Sequence, residues 1–499
     1  MTPYLELEAR FRRLSAIGQA AGMLHWDASV MMPPGGAKAR GEQIAVLASV
    51  RHEILCQPET GELLDGAEED AKYKGGLDPW PAANLREMRR IWAHATALPT
   101  DLVEARSKAS MACEMKWREA RPKSDFASVS KLLAEVLRLE REAAAAKAEA
   151  LDCAPYDALL DQYSPGISAG MVDRVFARLA DHLPEFINQV LERQAREPAP
   201  VLPEGPFAEA TQREVGVRFM KVLGFDFGQG RLDTSLHPFS GGTPDDLRIT
   251  TRYDQADFAT GLMGILHETG HALYEKGLPA RWRLQPVGEA RGMDIHESQS
   301  LIIEMQACRS RPFIDHAAPI LAEAFGGAGP AWGADNLYRI YTAVAPGLIR
   351  VDADEATYPL HIILRTELER ALLSGDLPIN DLPAAWNDGM EKLLGLKPNN
   401  DADGCMQDIH WFDGAFGYFP SYTMGAIAAA QFYRAAVISN PDIPAAIGRG
   451  DFKPLYAWLG ENVHALGAFL QTPELTERAT GAPLDPEIFL DHLTARYLS

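Results

Sequence analysis

The chain has 499 residues, with 48 Lys or Arg against 69 Asp or Glu, so its formal net charge is −21. This acidic excess argues against nucleic acid or an anionic membrane as the main partner. Hydrophobic residues make up 46% of the chain, which is enough for a sizeable core. We therefore expect a globular protein with one large domain or several ordinary ones.

The amino-terminal residues 1–24 alternate charged and apolar side chains, unlike the continuous apolar segment of a signal peptide. No uninterrupted apolar run of the sequence approaches the roughly 18 residues that span a bilayer. The five cysteines are scattered, and no pair has the spacing of a zinc or redox motif. These features predict a cytoplasmic protein with reduced thiols and no membrane partner.

The first half of the chain is predicted to be helical. Apolar residues recur at helical spacing through residues 124–150 and again through 168–198, where Pro184 is expected to interrupt the helix. A Pro-rich connector follows around residues 197–207, and helical spacing resumes at 210–225. No fixed-period repeat is present, which counts against a solenoid.

Residues 231–254 differ from this pattern. The turn-forming sequence SGGTPDD separates two short runs, and the second run alternates, with Leu247, Ile249 and Thr251 on one side and Arg248 on the other. We predict a small antiparallel β-hairpin in an otherwise helical chain. An edge of this sheet could hydrogen-bond an extended peptide.

The domain organisation predicted from the sequence is a single unit over residues 1–499. Nothing between residues 207 and 499 has the composition of a linker. We therefore expect one large, mainly α-helical protein in which the N-terminal helices cap an active-site groove.

The sequence HETGH, residues 267–271, directly follows the predicted sheet. On a helix, His267 and His271 project from one face one turn apart, so both imidazoles can reach one metal ion. Glu268 lies about 100° further round the helix, where it can act as a general base. The alternative is a helix with two histidines that are only hydrogen-bonded, and a third ligand is needed to choose between the two.

Three glutamates that follow are candidates for the third ligand, namely Glu289, Glu297 and Glu304. Glu297 lies 30 residues after His267 in a second helical run, which is far enough for a turn and a return. Two histidines and a glutamate are typical ligands of a zinc hydrolase. The spacing alone does not choose among the three glutamates.

HETGH followed by HESQ resembles the carboxypeptidase Taq family of zinc metallocarboxypeptidases, also called thermostable carboxypeptidase 1. The resemblance runs through most of the chain and begins with LHWDASVMMPPGGAKARGEQIA near the N-terminus. Further matching segments follow in order: HPF (His237–Phe239), DLRIT (Asp246–Thr250), HESQ (His296–Gln299), IRVDAD (Ile349–Asp354), GCMQDIHW (Gly404–Trp411) and GYFPSY (Gly417–Tyr422).

The resemblance implies that His267, His271 and Glu297 bind one zinc ion and that Glu268 is the catalytic acid and base. It also implies a large helical fold like that of the neurolysin and angiotensin-converting-enzyme peptidases, with a deep groove. A homodimer that removes single C-terminal residues with broad specificity is expected on the same ground. Cobalt or manganese could replace zinc, because metal availability matters as much as affinity.

The tetrahedral oxyanion formed in peptide hydrolysis needs a stabilising group besides the metal. Tyr418, Tyr422 and His410 are candidates, all in the segment that matches the family, and Tyr418 is slightly favoured. Each of them could instead be an ordinary core aromatic residue.

An exopeptidase must also recognise the free α-carboxylate of a peptide, which suits the planar fork of an arginine. Arg350 is favoured and Arg248 is the alternative, although Arg350 could instead pair only with Asp352 or Asp354. His237 and Tyr422 are further candidate substrate contacts, and His237 could instead fix a turn. Asp408 and Gln407 could orient a ligand histidine or simply cap a helix.

Two other functions remain open at this stage. An endo-acting zinc oligopeptidase on the same helical fold would not need an arginine for the α-carboxylate. An inactive scaffold that holds zinc for structure would not need Glu268. The expected substrates are peptides with a free C-terminus.

Overall fold

The computed structural model describes residues 2–73, 75–235 and 237–499, and it confirms the predicted mainly α-helical fold. The helices are α1 (Pro3–Val30), α2 (Ala37–Leu55), α3 (Pro58–Tyr73), α4 (Pro79–Thr96), α5 (Thr100–Ala120), α6 (Phe126–Leu151), α7 (Pro155–Asp161), α8 (Ala169–Gln194), α9 (Glu209–Val222), α10 (Phe258–Gly277), α11 (Met293–Leu301), α12 (Arg311–Phe325), α13 (Ala334–Tyr341), α14 (Tyr358–Ser374), α15 (Leu382–Leu394), α16 (His410–Asp413), α17 (Pro420–Ser439), α18 (Ile443–Gly448), α19 (Lys453–Asn462), α20 (Thr472–Thr480) and α21 (Pro486–Tyr497). A π-helical segment, Ile302–Cys308, continues α11. Among the helices of the described residues, none combines the length and the apolar character that a membrane span requires.

The chain folds into two compact units. The first unit comprises Met1–Ala95, Pro200–Tyr341 and Ala428–Leu484, and the second comprises Thr96–Ala199, Thr342–Ile427 and Asp485–Ser499. The single unit over residues 1–499 stays a prediction.

The first unit begins with a cluster of N-terminal helices. Helix α1 starts directly after Thr2, whose hydroxyl accepts a hydrogen bond from the backbone N–H of Leu5. Apolar side chains of α1 such as Leu7 and Phe11 pack against Leu64 of α3 and form a buried core. Helix α1 also packs against a strand of the sheet described next.

The first unit also contains one three-stranded sheet, built from β1 (Gly230–Thr234), β2 (Ser240–Thr243) and β3 (Asp246–Thr251). Strand β3 is central, antiparallel to β2 and parallel to β1. The predicted antiparallel sheet is therefore wrong in part, because the sheet is mixed and SGGT, predicted as a turn, forms β2. Glycine explains the difference: Gly242 has φ +97°, and a Cβ there would lie 2.0 Å from the Asp246 carbonyl oxygen.

The sheet packs directly against α10, the helix that carries HETGH. Leu232 of β1 and Leu247 and Ile249 of β3 share one buried cluster with Ile265 and Ala272 of α10. The alternation seen in the sequence thus buries one face of β3 as predicted. It also fixes the position of the sheet beside the two histidines.

The described residues of the second unit form helices joined by loops, and none of them forms a strand. Its helix α8 runs without a break from Ala169 to Gln194, so the predicted interruption at Pro184 is wrong. Apolar residues on both sides of the proline, including Leu179, Leu183 and Ile187, are buried. Their packing outweighs the hydrogen bond that proline cannot make.

Candidate metal centre and substrate residues

Helix α10 holds its two histidines in a rigid frame. The Asp257 carboxylate caps its first turn by accepting hydrogen bonds from the N–H groups of Ala259 and Thr260, at 2.8 and 3.3 Å. Two glycines of α10 have different surroundings. A Cβ at Gly270 would lie 2.7 Å from the Gln299 carbonyl oxygen, whereas one at Gly264 would meet nothing within 4 Å. Glycine at position 270 therefore lets α11 approach α10 closely.

That approach brings a carboxylate of α11 to the two histidines of α10. One ligand atom each of His267, His271 and Glu297 lies within 4.8 Å of the others. Glu297 Oε2 is 3.4 Å from Nε2 of His271 and 3.9 Å from Nε2 of His267. Ligand atoms about 2.0–2.2 Å from a tetrahedral zinc ion lie about 3.4 Å apart, so this donor set fits such an ion.

Of the three glutamates that the spacing left open, Glu297 joins the two histidines in the described part of the chain. Glu289 is exposed and outside this group. Glu304 contacts a histidine on its other side, as described next.

Glu304 contacts the His267 ring at Nδ1, the nitrogen on the other side of the ring from Nε2. Its Oε2 lies 2.9 Å from His267 Nδ1, and its Oε1 accepts a hydrogen bond of 2.6 Å from Arg309. A carboxylate at this distance accepts the Nδ1 proton, so a metal ion that displaces the Nε2 proton of His267 would find the Nε2 lone pair beside Glu297. Glu304 lies in the π-helical segment Ile302–Cys308. The sequence offered Glu304 as a candidate metal ligand, and nothing in the spacing of the residues indicates its contact with Nδ1 of His267.

His271 is held by a second chain of polar groups. Its Nδ1 lies 2.6 Å from Nδ1 of His296, whose Nε2 lies 2.9 Å from Glu275 Oε1. If Glu275 accepts the His296 Nε2 proton, neutral His296 accepts at Nδ1 from the N–H of His271. Nε2 of His271 then keeps its lone pair for a metal.

The electrostatics of the group favour a bound cation. Burial opposes charge on His267, but the carboxylates of Glu297 and Glu304 outweigh it and raise its pKa to about 10. Burial also opposes charge on Glu297, yet the histidines beside it lower its pKa to about 2. The carboxylates thus favour a positive charge between Glu297 and the Nε2 atoms of His267 and His271. Burial lowers the pKa of His271 to about 4, so this imidazole is neutral at pH 7.

Glu268 lies next to His267 in the sequence but is almost entirely enclosed, with 8% of its surface exposed. Burial raises the pKa of Glu268 to about 7. A carboxylate with this pKa can both accept and return a proton near neutral pH. Glu268 is therefore a buried carboxyl whose pKa is raised towards neutral pH, as is typical of general acids and bases.

Arg248 lies on the central strand of the sheet, with two of its nitrogens 3.0 and 2.8 Å from the carboxylate of Asp246. Its guanidinium carbon also lies 4.3 Å from the ring centroid of Trp26 on helix α1. Binding a peptide carboxylate would therefore require Arg248 to share its charge with Asp246.

His237 is exposed, and its carbonyl accepts a hydrogen bond of 2.6 Å from the Ser235 hydroxyl. The hydroxyl of Thr250 accepts a hydrogen bond of 2.9 Å from the backbone N–H of Phe239. The HPF and DLRIT segments are therefore parts of one local structure, which supports the interpretation that His237 belongs to a fixed turn.

Arg350, in the second unit, is buried with 7% of its surface exposed. Its guanidinium donates to Asp408 at 2.7 and 3.0 Å and to the Tyr358 hydroxyl at 3.1 Å. Asp408 also accepts from Arg365 at 2.7 Å, so two arginines share one carboxylate. The group keeps a net positive charge, which suits an anionic ligand. These two cations and the other neighbours of Asp408 hold the pKa of its carboxyl well below its usual range, against the effect of burial.

The alternative in which Arg350 pairs with Asp352 or Asp354 is wrong. Asp352 is exposed, and Asp354 accepts hydrogen bonds from the backbone N–H groups of Ala356 and Thr357, directly before α14. Gln407 accepts from the backbone N–H of Arg350 at 2.9 Å. Asp408 and Gln407 therefore position this arginine, and the suggestion that they orient a ligand histidine is also wrong.

The structure brings the predicted aromatic residues of the second unit to Arg350. The Tyr422 ring centroid lies 5.1 Å from the Arg350 guanidinium, and the Tyr422 hydroxyl lies 3.4 Å from His410 Nε2. The Tyr418 ring lies 5.5 Å from the His410 ring, centroid to centroid. These four residues form one cluster of a cation, two phenols and an imidazole.

A buried carboxylate that is not among the predicted site residues, Glu369, fixes the segment before Tyr418. Glu369 accepts hydrogen bonds from the Gly417 backbone N–H at 2.7 Å, from Trp411 Nε1 at 2.8 Å and from the Tyr156 hydroxyl at 2.8 Å. Tyr156 lies far from Glu369 in the sequence, as do Trp411 and Gly417, which share one segment, so no local pattern could have identified these contacts.

Comparison with known proteins gives a consistent result. The family model of the carboxypeptidase Taq (M32) metallopeptidases matches residues 6–497. Thermostable carboxypeptidase 1 of Thermus thermophilus is 37% identical over 505 residues, covering 99% of this chain and 97% of that protein. The protein of the same name from Pyrococcus furiosus is 34% identical, covering 99% and 98%. The solved structure of metallocarboxypeptidase 1 of Trypanosoma cruzi superposes with a TM-score of 0.97 at 40% identity, covering 100% of this chain and 99% of that one.

Proposed function

The chain belongs to the carboxypeptidase Taq (M32) family of metallopeptidases and is a metallocarboxypeptidase, and from this premise we propose that it uses zinc to release single amino acids from the C-termini of peptides. The observation that carries the proposal is the convergence of two Nε2 atoms and a carboxylate beside a buried glutamate. We propose His267, His271 and Glu297 as the metal ligands and Glu268 as the acid and base.

Different residues of the chain are proposed to act in proton transfer and in positioning the metal ligands. A zinc ion bound there would polarise the scissile carbonyl and activate a water molecule. Glu268, which is buried beside the proposed ligands, accepts the proton of the attacking water and then passes it to the leaving amine. Glu304 and His296 keep the two imidazoles in the tautomer that directs Nε2 inward.

Recognition of the free C-terminus is assigned to Arg350, with Arg248 as the alternative. Arg350 belongs to the group of two arginines on one aspartate, so the group can accept a second carboxylate. Tyr418, Tyr422 and His410 are proposed to stabilise the oxyanion or contact the substrate, with Tyr418 first. His237 is the remaining proposed substrate contact.

Mass spectrometry of peptide products tests this function directly. A peptide with a free C-terminus should lose one residue at a time, and a chelator should stop the reaction. The same peptide with an amidated C-terminus should resist, because it offers no anion to an arginine. Products released from the middle of both peptides would instead identify an endo-acting oligopeptidase.

A further inference from the structure

The distribution of lysines points to a second binding site in the first unit. Lysine is scarce in this chain: residues 148–391 contain two lysines and residues 398–499 contain one. All three, Lys221, Lys276 and Lys453, line one cavity of about 620 Å³. They come from helices α9, α10 and α19, so the fold brings together cations that the sequence keeps far apart.

This cavity is separate from the metal centre. Lys276 follows His267 by nine residues, which places the two side chains about 180° apart round α10. Leu273 of the same helix also lines the cavity. The cavity therefore lies against the opposite side of α10 from the two ligand histidines.

The positive charge of the cavity is only partly balanced. Lys276 lies 3.7 Å from Asp226, and Lys221 lies 5.8 Å from the centroid of the Phe227 ring. Within the described part of the chain, Lys221 and Lys453 form no ion pair within 4 Å of a carboxylate. One carboxylate, Asp451, lines the cavity, and one of its oxygens accepts a hydrogen bond from the backbone N–H of Lys453. Three lysines and Asp451 thus line the cavity, and Asp226 lies beside Lys276, which leaves a net positive charge at this place in a protein whose net charge is −21.

The chemistry of the lining indicates the class of ligand. Lysine ammonium groups are compact point charges that bind phosphate, and several of them at one place suit a phosphate group, which carries up to two negative charges, better than a singly charged carboxylate. Val222, Leu223, Leu273 and the Tyr456 ring add apolar surface to the wall. The volume lies within the range of small-molecule sites. His464 adds no charge, because burial lowers its pKa to about 3.

We propose that this cavity binds a small phosphate monoester, with the phosphate between the three lysines and the organic part against the apolar wall. The cavity shares no lining residue with the proposed metal ligands.

Isothermal titration of the metal-loaded protein at constant ionic strength tests the proposal. Adenosine monophosphate is the probe, inorganic phosphate tests the anion alone, and uncharged adenosine tests the organic part alone. We expect saturable binding of the monophosphate at one site per chain, weaker binding of phosphate and no binding of adenosine. The metal content should stay constant throughout the titration.

Variants locate the site. The double substitution Lys221→Gln and Lys453→Gln should weaken binding of the monophosphate at least tenfold, because charged hydrogen bonds are lost. Both side chains are exposed, so the fold should persist. Lys131→Gln, an exposed lysine of helix α6, is the matched control and should bind like the parent.

Three results would overturn the proposal. They are equal affinity of the double variant and the parent, equal affinity for phosphate and the monoester, and no saturable heat at millimolar ligand. The first would place any binding elsewhere, for example at the metal.

Discussion

Replacing Glu304 by glutamine tests whether the hydrogen bond at Nδ1 positions His267 as a metal ligand. The glutamate accepts the Nδ1 proton of His267 at 2.9 Å and is itself held by Arg309 at 2.6 Å. A glutamine keeps the size and can still accept this proton, but only through a neutral oxygen. Hydrogen bonds to a charged acceptor are roughly twice as strong as neutral ones, so part of the orientation is lost. Substitutions of residues that orient a metal ligand typically lower metal affinity about 10- to 100-fold. We expect Glu304→Gln to lower zinc affinity about tenfold.

The assay is a competition between the protein and a chelator of known zinc affinity. Glu304→Ala removes the acceptor altogether and should lose more affinity than Glu304→Gln. Glu289→Gln, at an exposed position, is the control and should bind zinc like the parent. Unfolding of each variant with zinc removed, followed by circular dichroism, separates lost orientation from lost stability. Unchanged zinc affinity in both Glu304 variants would refute the positioning role.

Three further predictions concern packing, pH and substrate recognition. Gly270→Ala places a Cβ 2.7 Å from backbone atoms of α11, so it should lower the free energy of unfolding by about 1–3 kcal/mol and weaken zinc binding. A Cβ at Gly264 has no neighbour within 4 Å, so Gly264→Ala is the control and should fold normally. Thermal unfolding of both variants measures the difference. Arg291 and Arg90 outweigh burial and lower the pKa of Glu87 from 4.5 to about 2, so Glu87→Gln should lose about 3 kcal/mol of unfolding free energy at pH 7. Because this contribution is present above pH 4.5 and lost as the pH falls towards 2, denaturant unfolding should show the two proteins converging in acid. Arg350→Ala should lower kcat/KM about ten- to a hundredfold for free peptides and much less for amidated ones; the same loss on both would remove Arg350 from carboxylate recognition.

Much of the helical architecture could be predicted from the sequence, because apolar periodicity is a local property. The alternation in β3 likewise predicted a strand with one buried face beside α10. Strand pairing was harder, since it depends on a close backbone approach at Gly242 that composition does not reveal. The run SGGT is typical of a turn, and only the neighbouring β3 makes it a strand.

In the candidate site, too, local spacing could be interpreted from the sequence, whereas contacts that depend on long-range packing could not. The spacing of His267 and His271 predicted a shared metal because both lie on one helical face. The spacing could not choose the third ligand, since that depends on how α11 packs against Gly270. The supporting contacts of Glu304, and the pairing of Arg350 with Asp408 rather than with the nearer aspartates, depend on long-range packing in the same way.

X-ray diffraction from crystals of the zinc-loaded protein, collected on both sides of the zinc absorption edge, tests the central claim most directly. The account predicts one strong anomalous peak per chain, about 2.0–2.2 Å from Nε2 of His267, Nε2 of His271 and a carboxylate oxygen of Glu297. In the same map, Glu304 should contact Nδ1 of His267 and not the metal. A peak bound by Glu304 or through the Nδ1 atoms, or no peak beside Glu297, would contradict the account.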